Sequence, residues 1–283
     1  MKIFITVLVI LFLLCLFFAI LDSNRFVVRN YEIKSDRVLG EHNYVFLSDL
    51  HCKQFGKDNK RLLSEIYKIN PEAVLIGGDM ITAYPGREFG PVIKFLGDIK
   101  KNYPVIYALG NHEYRAKIYP KTYGTLYENY KEALREKGIT FSDNEYIDLC
   151  GNIRISSLTV ESEYYRRIIK VYMDSKYIES KIGPIDEKMF NVILAHNPDY
   201  FEAYVNYGAD LTLSGHIHGG VVRVPFSKGL VSPKIVFFPK YDGGLFEKKG
   251  KKMIVSRGLG MHTIPFRMFN PAELVVIKIK NQA

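Results

Sequence analysis

The sequence predicts an α/β protein, a sandwich of two facing mixed sheets flanked by helices and preceded by one long apolar helix. Three observations carry this reading. Between residues 43 and 140, short continuously apolar runs alternate with amphipathic segments of helical period, the pattern of a buried, largely parallel sheet. The last part of the chain changes to shorter apolar runs separated by Gly, Pro and basic turns, which calls for a second sheet facing the first. Ile3–Leu21 carries no charge at all.

The apolar run comes first in the chain. At about 1.5 Å per helical residue it reaches roughly the ~30 Å of a bilayer core. A cleaved signal peptide is the rival, but its apolar region is usually shorter and ends in a small-x-small site, and Phe18-Ala19-Ile20-Leu21 makes a poor one. Cys15 follows two leucines, which does not suit lipoprotein cleavage. The expected organisation is a transmembrane anchor over 1–22, a connecting segment over 23–42 with an extended stretch near FVVRNYEI, and one body over 43–283. The anchor implies a single-pass cell-membrane location. Lys2 precedes the span and Arg25, Arg29, Lys34 and Arg37 follow it, so the positive-inside rule favours a cytoplasmic body; an exported body stays open.

In the body, YVFLSDLH reads as a buried strand running into a polar turn. NKRLLSEIYKINP puts Leu62, Leu63, Ile66 and Ile69 on one helical face, with Pro71 as the stop. AVLIGGD is a second strand, PVIKFLGDIKK a helix, PVIYALGNHEY a third strand, and YGTLYENYKEALREKG a helix closed by Gly138. NVILAHNPD and LTLSGHIHGG repeat the order of apolar run, then histidine. KIVFFPKY, KKMIVSRGLG and AELVVIKIK read as the shorter strands of the tail.

Composition sets bounds on function. The chain has 283 residues, 47% of them apolar, ample for a core even without the N-terminus. A net charge of +9 suits anionic partners such as phosphorylated substrates, nucleic acid or an acidic membrane surface, or simply a solvated surface. No basic-aromatic module appears, so no specific nucleic-acid partner is expected. Cys15, Cys52 and Cys150 form neither a disulfide framework nor a zinc-type spacing, and Cys52 reads as a small packing residue.

The polar residues at strand ends carry the chemistry. They are Asp49 and His51 in SDLH, Asp79 in GGD, Asn111 and His112 in GNHE, His196 in LAHNPD, and His216 and His218 in SGHIH. Five of the seven histidines fall here; only His42 and His262 lie elsewhere. Alone, D-x-H, GGD, GNH and a single histidine after a strand are more often turns, caps or structural residues, and only the His-x-His pair reads equally well as a metal site. Their joint occurrence, at strand ends that a parallel sheet gathers at one edge, points to a common site. Gly215, Gly219 and Gly220 around the two histidines suit unusual φ values and close approach of a substrate.

The ordered set D-x-H, GD, GNHE, H and GHxH resembles the calcineurin-like metallophosphoesterase superfamily. The tail segments FFPKYDGGLFE, VSRGLG and PFRMFNPAEL are similar to its bacterial membrane-anchored members, the group with exported phosphoesterases and UDP-diacylglucosamine pyrophosphatase-like enzymes. The resemblance covers Asn43 to the C-terminus and implies a catalytic domain with two divalent metal ions. It implies that Asp79 bridges them, that Asp49, His51 and His218 complete one site, and that Asn111, His196 and His216 complete the other. His112 is left as the catalytic residue, a general acid or a donor to the transition state; a partner that merely orients a ligand is the alternative. An all N/O donor set suits Mn²⁺, Fe or Zn²⁺. The implied function is hydrolysis of a phosphodiester, pyrophosphate or phosphomonoester by metal-activated hydroxide, with a lipid or cell-envelope precursor among the substrate classes. A nuclease or cyclic-nucleotide phosphodiesterase of the same fold, or a non-enzymatic membrane scaffold, is the alternative.

This chain departs from the subgroup's GHTHGGQ at Ile217 and Val221, which bears on substrate preference. Arg166, Arg167 and Lys170 read as a solvated helix face that could meet lipid phosphate, and Arg223, Arg257 and Arg267 as candidate phosphate contacts.

Overall fold

The computed structural model describes residues 1–166, 171–220, 222–223, 229–231, 238–261 and 267–282. Its first element, α1 (Lys2–Asn24), is apolar over Ile3–Leu21 and exposed along most of its length, meeting the body only toward its C-terminal end, from Phe18 against Phe269 to its last turn. The strands β1 (Phe26–Ser35), β2 (Glu41–Leu47), β3 (Ala73–Ile76), β4 (Val105–Ala108) and β5 (Phe141–Ser142) belong to one sheet. β6 (Glu145–Leu149), β7 (Ile153–Leu158), β8 (Phe190–Ala195) and β9 (Leu211–Ser214) belong to a second. β10 (Val222–Arg223) and β11 (Gly229–Val231) pair antiparallel by themselves. β12 (Gly244–Lys248) and β13 (Lys251–Val255) rejoin the second sheet, and β14 (Ala272–Asn281) returns to the first.

The first sheet has the order β1-β14-β2-β3-β4-β5, with β2 to β5 parallel and β14 antiparallel to β2. The second runs β12-β13-β9-β8-β7-β6, parallel at its centre with an antiparallel strand at each edge. These are the two mixed sheets expected from the sequence.

Strand periodicity explains why the layers stack. In β2, Tyr44 and Phe46 point between the sheets, where they meet Ile155, Leu194, Leu213 and Ile277. Val45 and Leu47 point the other way, onto α2 (Lys60–Ile69) and α3 (Gly90–Lys100) through Leu62, Ile66, Phe95 and Leu96. After β4 come α4 (Asn111–Ile118), α5 (Pro120–Tyr123) and α6 (Leu126–Glu136), and Tyr130 and Leu134 of α6 join the same layer. On the far side, α7 (Ser175–Ile182) and α8 (Phe201–Tyr207) cover the second sheet through Ile178, Ile182 and Tyr204. Within α2, Leu62 and Ile66 are buried while Leu63 and Ile69 are only half-buried.

Several segments differ from the sequence reading. The extended stretch after α1 is more than a connection: β1 runs parallel to β14 from Phe26↔Ala272 to Ser35↔Asn281. β12 was not anticipated, because Gly244–Lys248 is an edge strand of alternating half-buried and exposed residues rather than an apolar run. Residues 234–237 of KIVFFPKY lie outside the described residues, and Phe238–Tyr241 forms a bend and turn. Arg166 lies in extended backbone after a single 3-10 turn, not on a helix face; Arg167 and Lys170 lie outside the described residues, as do Val221 and His262.

Candidate metal centre

The site residues follow the carboxyl ends of five strands. Asp49 and His51 come after β2, Asp79 after β3, Asn111 and His112 after β4, His196 directly after β8, and His216 and His218 after β9. Asp49, His51, Asp79, His216 and His218 all have φ between 49° and 72°. Non-glycine residues adopt this left-handed region rarely, at a cost of order 1–3 kcal/mol each, and such strain clusters at functional sites. Close approach also fixes the glycines: a Cβ on Gly215 would lie 2.2 Å from Asp49 Oδ2, and one on Gly110 2.2 Å from Asp79 Oδ1.

Seven of these eight side chains form a tight cluster. His196 Nε2 is 3.2 Å from Asp79 Oδ2 and 3.7 Å from Asp49 Oδ1. His218 Nε2 is 3.3 Å from Asp49 Oδ1, and His51 Nε2 is 3.8 Å from Asp79 Oδ2. The Nε2 atoms of His51 and His218 face each other at 3.2 Å. Three overlapping groups could each hold a metal ion: Asp49, His51 and His218; His51, Asp79 and His112; Asp79, His196 and His216, with ligand atoms in each within 4.8 Å of one another. Asn111 is buried on the same turn as His112.

The surrounding groups orient these side chains. His196 Nδ1 meets the Gly77 carbonyl at 2.6 Å, His51 Nδ1 meets Thr82 Oγ1 at 3.2 Å, and the ring of Tyr165 stands edge-on to His216 at 4.9 Å. Glu113 was not singled out from the sequence, although its place three residues past Gly110 is the spacing of a helix-start carboxylate. Fully buried, it accepts from the backbone N–H of Asp79, Met80, Ile81 and Gly110 and from the Tyr107 hydroxyl. It thereby locks the turn after β3 to the turn after β4.

On the other side, Asn270 Nδ2 donates to the carbonyls of His218 and Gly220 at 2.7 and 2.6 Å. Asn270 N in turn donates to Asp22 Oδ2 at 3.0 Å, and Arg267 N to Ser23 Oγ, so the last turn of α1 is part of this support. No local pattern could have revealed a link between residues so far apart.

The candidate phosphate-binding arginines now separate. Arg267 is buried and its guanidinium donates to the carbonyls of Arg257, Gly258, Gly260 and Asn270. Arg223 holds the Gly219 carbonyl and pairs with Asp242 at 2.8 Å. Both brace the backbone. Arg257 lies beside Gly219 with its Nε only 3.8 Å from Glu273, and its side chain remains partly exposed.

The electrostatics suit a cation. Burial pushes the Asp49 carboxyl up, with His196 opposing and Asp79 adding to the rise. Burial also acts against the charge of Asp79, but His196, His112 and His51 outweigh it and hold that carboxyl well below the usual range. Burial likewise pushes Glu113 up, to about 7, helped by Asp79. Among the described residues, Asn111 Oδ1 is buried and meets no hydrogen-bond donor, a situation that costs about 1–3 kcal/mol when nothing else compensates. An amide oxygen, imidazole nitrogens and carboxylates turned toward one another are the hard and borderline donors that divalent cations prefer. The residues therefore fit such a centre.

Fold and cluster together define the class: a metal-dependent phosphoester hydrolase. Residues 42–220 match the family model of the calcineurin-like phosphoesterases, and the chain belongs to that family. Membership implies a dinuclear divalent metal centre. Similar proteins include the metallophosphoesterase YkuE of Bacillus subtilis, 25% identical over 244 residues, covering 84% of this chain and 78% of the relative. The UDP-2,3-diacylglucosamine pyrophosphatase LpxG of Chlamydia muridarum is 23% identical, covering 83% of this chain and 82% of its own. The phosphodiesterase YaeI of Escherichia coli is 26% identical, covering 76% and 74%.

Proposed function

We propose that this chain is a phosphoesterase anchored in a membrane by α1, acting on a lipid-linked phosphodiester or pyrophosphate. The observation that carries the hydrolytic site is the convergence of two carboxylates and four imidazoles within bonding reach of shared cations. Asp79 is assigned as the bridging ligand, Asp49, His51 and His218 as ligands of one ion, and Asn111, His196 and His216 as ligands of the other. When bound, two such ions polarise the phosphoryl oxygens and acidify a water for in-line attack. Mn²⁺, Fe and Zn²⁺ all suit the donor set.

Hydrogen bonding distinguishes the roles of two histidines. His196 Nδ1 faces a carbonyl, so the neutral ring carries its proton there and turns an Nε2 lone pair into the cluster. His112 is the reverse: its Nδ1 accepts the N–H of Ala83 at 2.9 Å, so the neutral ring carries its proton on Nε2, 4.0 Å from Asp79 Oδ2. That tautomer suits a donor rather than a ligand. It supports His112 as the group that protonates the leaving oxygen or stabilises charge on the phosphoryl group.

Two observations support the anchor and the lipid. α1 is 23 residues long, uncharged over Ile3–Leu21, and unburied over its apolar window, and one similar protein is named for a diacylated sugar nucleotide. The test is a substrate panel with full-length protein in detergent and added Mn²⁺, Zn²⁺ or Fe²⁺. It compares bis-p-nitrophenyl phosphate, p-nitrophenyl phosphate, a cyclic nucleotide and a nucleotide-diphosphate lipid. Turnover of the lipid above the others supports the proposal; turnover of the cyclic nucleotide alone overturns its substrate, and no turnover of any overturns the site. Release of the full-length protein into the soluble fraction would overturn the anchor.

A further inference from the structure

We infer that the junction between α1 and the body is an acyl-chain site that brings a membrane phospholipid's headgroup to the metal centre. This deepens the proposed function and rests on its reading of α1 as a membrane anchor. A groove of about 620 Å³ runs along the C-terminal half of the helix, within the ~300–1,000 Å³ usual for small-molecule sites. Phe12, Leu16 and Ile20 line it from the helix, and Met261, Met268 and Lys53 from the body.

The groove has a polar end and an apolar end, in the sense a lipid needs. Its helical wall is apolar from Phe12 to Ile20 and turns polar only at Ser23 and Asn24. Lys53 belongs to the polar end: its Nζ lies 5.9 Å from the ring of Phe55, which packs edge-on against Phe26, two residues past Asn24. Lys53 is therefore the cation placed where an anionic headgroup would leave the bilayer.

The body wall of the groove is also the outer wall of the metal centre. Lys53 is two residues past His51, and its N–H donates to Leu50. Met261 follows Gly260, whose N–H donates to the Asp49 carbonyl. Met268 lies between Arg267, which grips the Gly258 and Gly260 carbonyls, and Phe269, whose ring meets Phe18 of the helix at 5.2 Å. A lipid with its chain along Phe12–Ile20 thus has its headgroup beside the backbone that carries Asp49 and His51. Methionines suit such a wall because their flexible side chains fit chains of varying shape.

The experiment uses full-length, Mn²⁺-loaded protein in phosphatidylcholine vesicles. The probe is a phosphonate analogue of phosphatidylglycerol, an anionic phosphodiester lipid, resistant to hydrolysis, with a photoreactive diazirine in one acyl chain. Adducts should concentrate on Leu16, Met261 and Met268, and excess dioleoyl phosphatidylglycerol should suppress them where phosphatidylcholine does not. Ala19→Trp, which fills the groove from the lipid-facing helix, should lower labelling of Met268 about tenfold, the effect of losing ~1.4 kcal/mol of affinity. Leu13→Trp, outside the groove lining, should leave it unchanged.

Labelling spread evenly around the helix, or an equal effect of both tryptophans, overturns the inference. Hydrolysis of bis-p-nitrophenyl phosphate by the same preparation separates the two readings. Focused labelling without hydrolysis supports the groove and sinks the hydrolase assignment; hydrolysis with even labelling sinks the groove alone.

Discussion

The two halves of the centre are held in different ways. On the first-sheet side, the turns after β3 and β4 are joined by one buried carboxylate, Glu113, which accepts four backbone N–H groups within a few residues of the cluster. On the second-sheet side, the turn carrying His218 hangs from Asn270, and Asn270 hangs from Asp22 at the end of α1. One support is local and closed; the other runs out of the domain into the N-terminal helix. The difference teaches that damage to the helix junction should reach the turn carrying His218 and, through Arg267 and Gly260, the Asp49 backbone, but not the turns after β3 and β4 that Glu113 holds.

The largest expected effect removes the carboxylate proposed to bridge the two metal ions. Asp79→Ala should strip the metal pair and bring hydrolysis to background, read by elemental analysis of the purified protein alongside rates. His112→Ala should keep the metals yet lower kcat by about 10²–10⁴-fold. The loss should shrink for substrates with good leaving groups such as p-nitrophenolate. Metal loss equal to that of Asp79→Ala would make His112 a ligand and reverse the tautomer argument.

Glu113→Ala tests the local support. Four N–H groups and a hydroxyl would be left facing an empty space, so unfolding by urea should show a destabilisation of roughly 2–4 kcal/mol. Displacement of Asp79 by even ~1 Å should cost kcat about 10²-fold. An Asn270→Ala variant tests the other side, and should cost about tenfold in kcat through the misplaced His218 carbonyl. Asp22→Ala sits one bond further out and should cost the least, about 1 kcal/mol of stability. Equal effects of Asp22→Ala and Glu113→Ala on kcat would erase the contrast between the two supports.

The sequence made the ligand candidates legible because each follows a continuous apolar run, and parallel strands leave their carboxyl ends at one edge. Phe46 and Leu47, on opposite faces of β2, were readable as core for the same reason. The supports were harder. Glu113 had a local signal in GNHE, a carboxylate three residues past the helix start, but nothing marked it as serving the turn after β3. Asn270 and Asp22 had none, since their contact depends on β14 returning to lie beside β1. β12 escaped notice because an edge strand with one face in solvent carries too little apolar signal. Arg223 and Arg267 looked like phosphate contacts because composition cannot show that a guanidinium is already spent on carbonyls.

The left-handed turns have a consequence for the life of the protein as well as its chemistry. Asp49, His51, Asp79, His216 and His218 hold unfavourable backbone in the native state, and nothing obliges the unfolded chain to share that burden. A cation that binds only the folded form adds about 2.7 kcal/mol when present at 100 times its dissociation constant. On the proposed ligand set, the melting temperature should climb with free Mn²⁺ or Zn²⁺ in a thermal-shift titration and fall again with chelator. A shift of 1–2 kcal/mol is enough to change cellular abundance several-fold. Starving cells of the metal should therefore shorten the protein's half-life in a pulse-chase measurement, so that its quantity, and not only its turnover, becomes a gauge of metal supply.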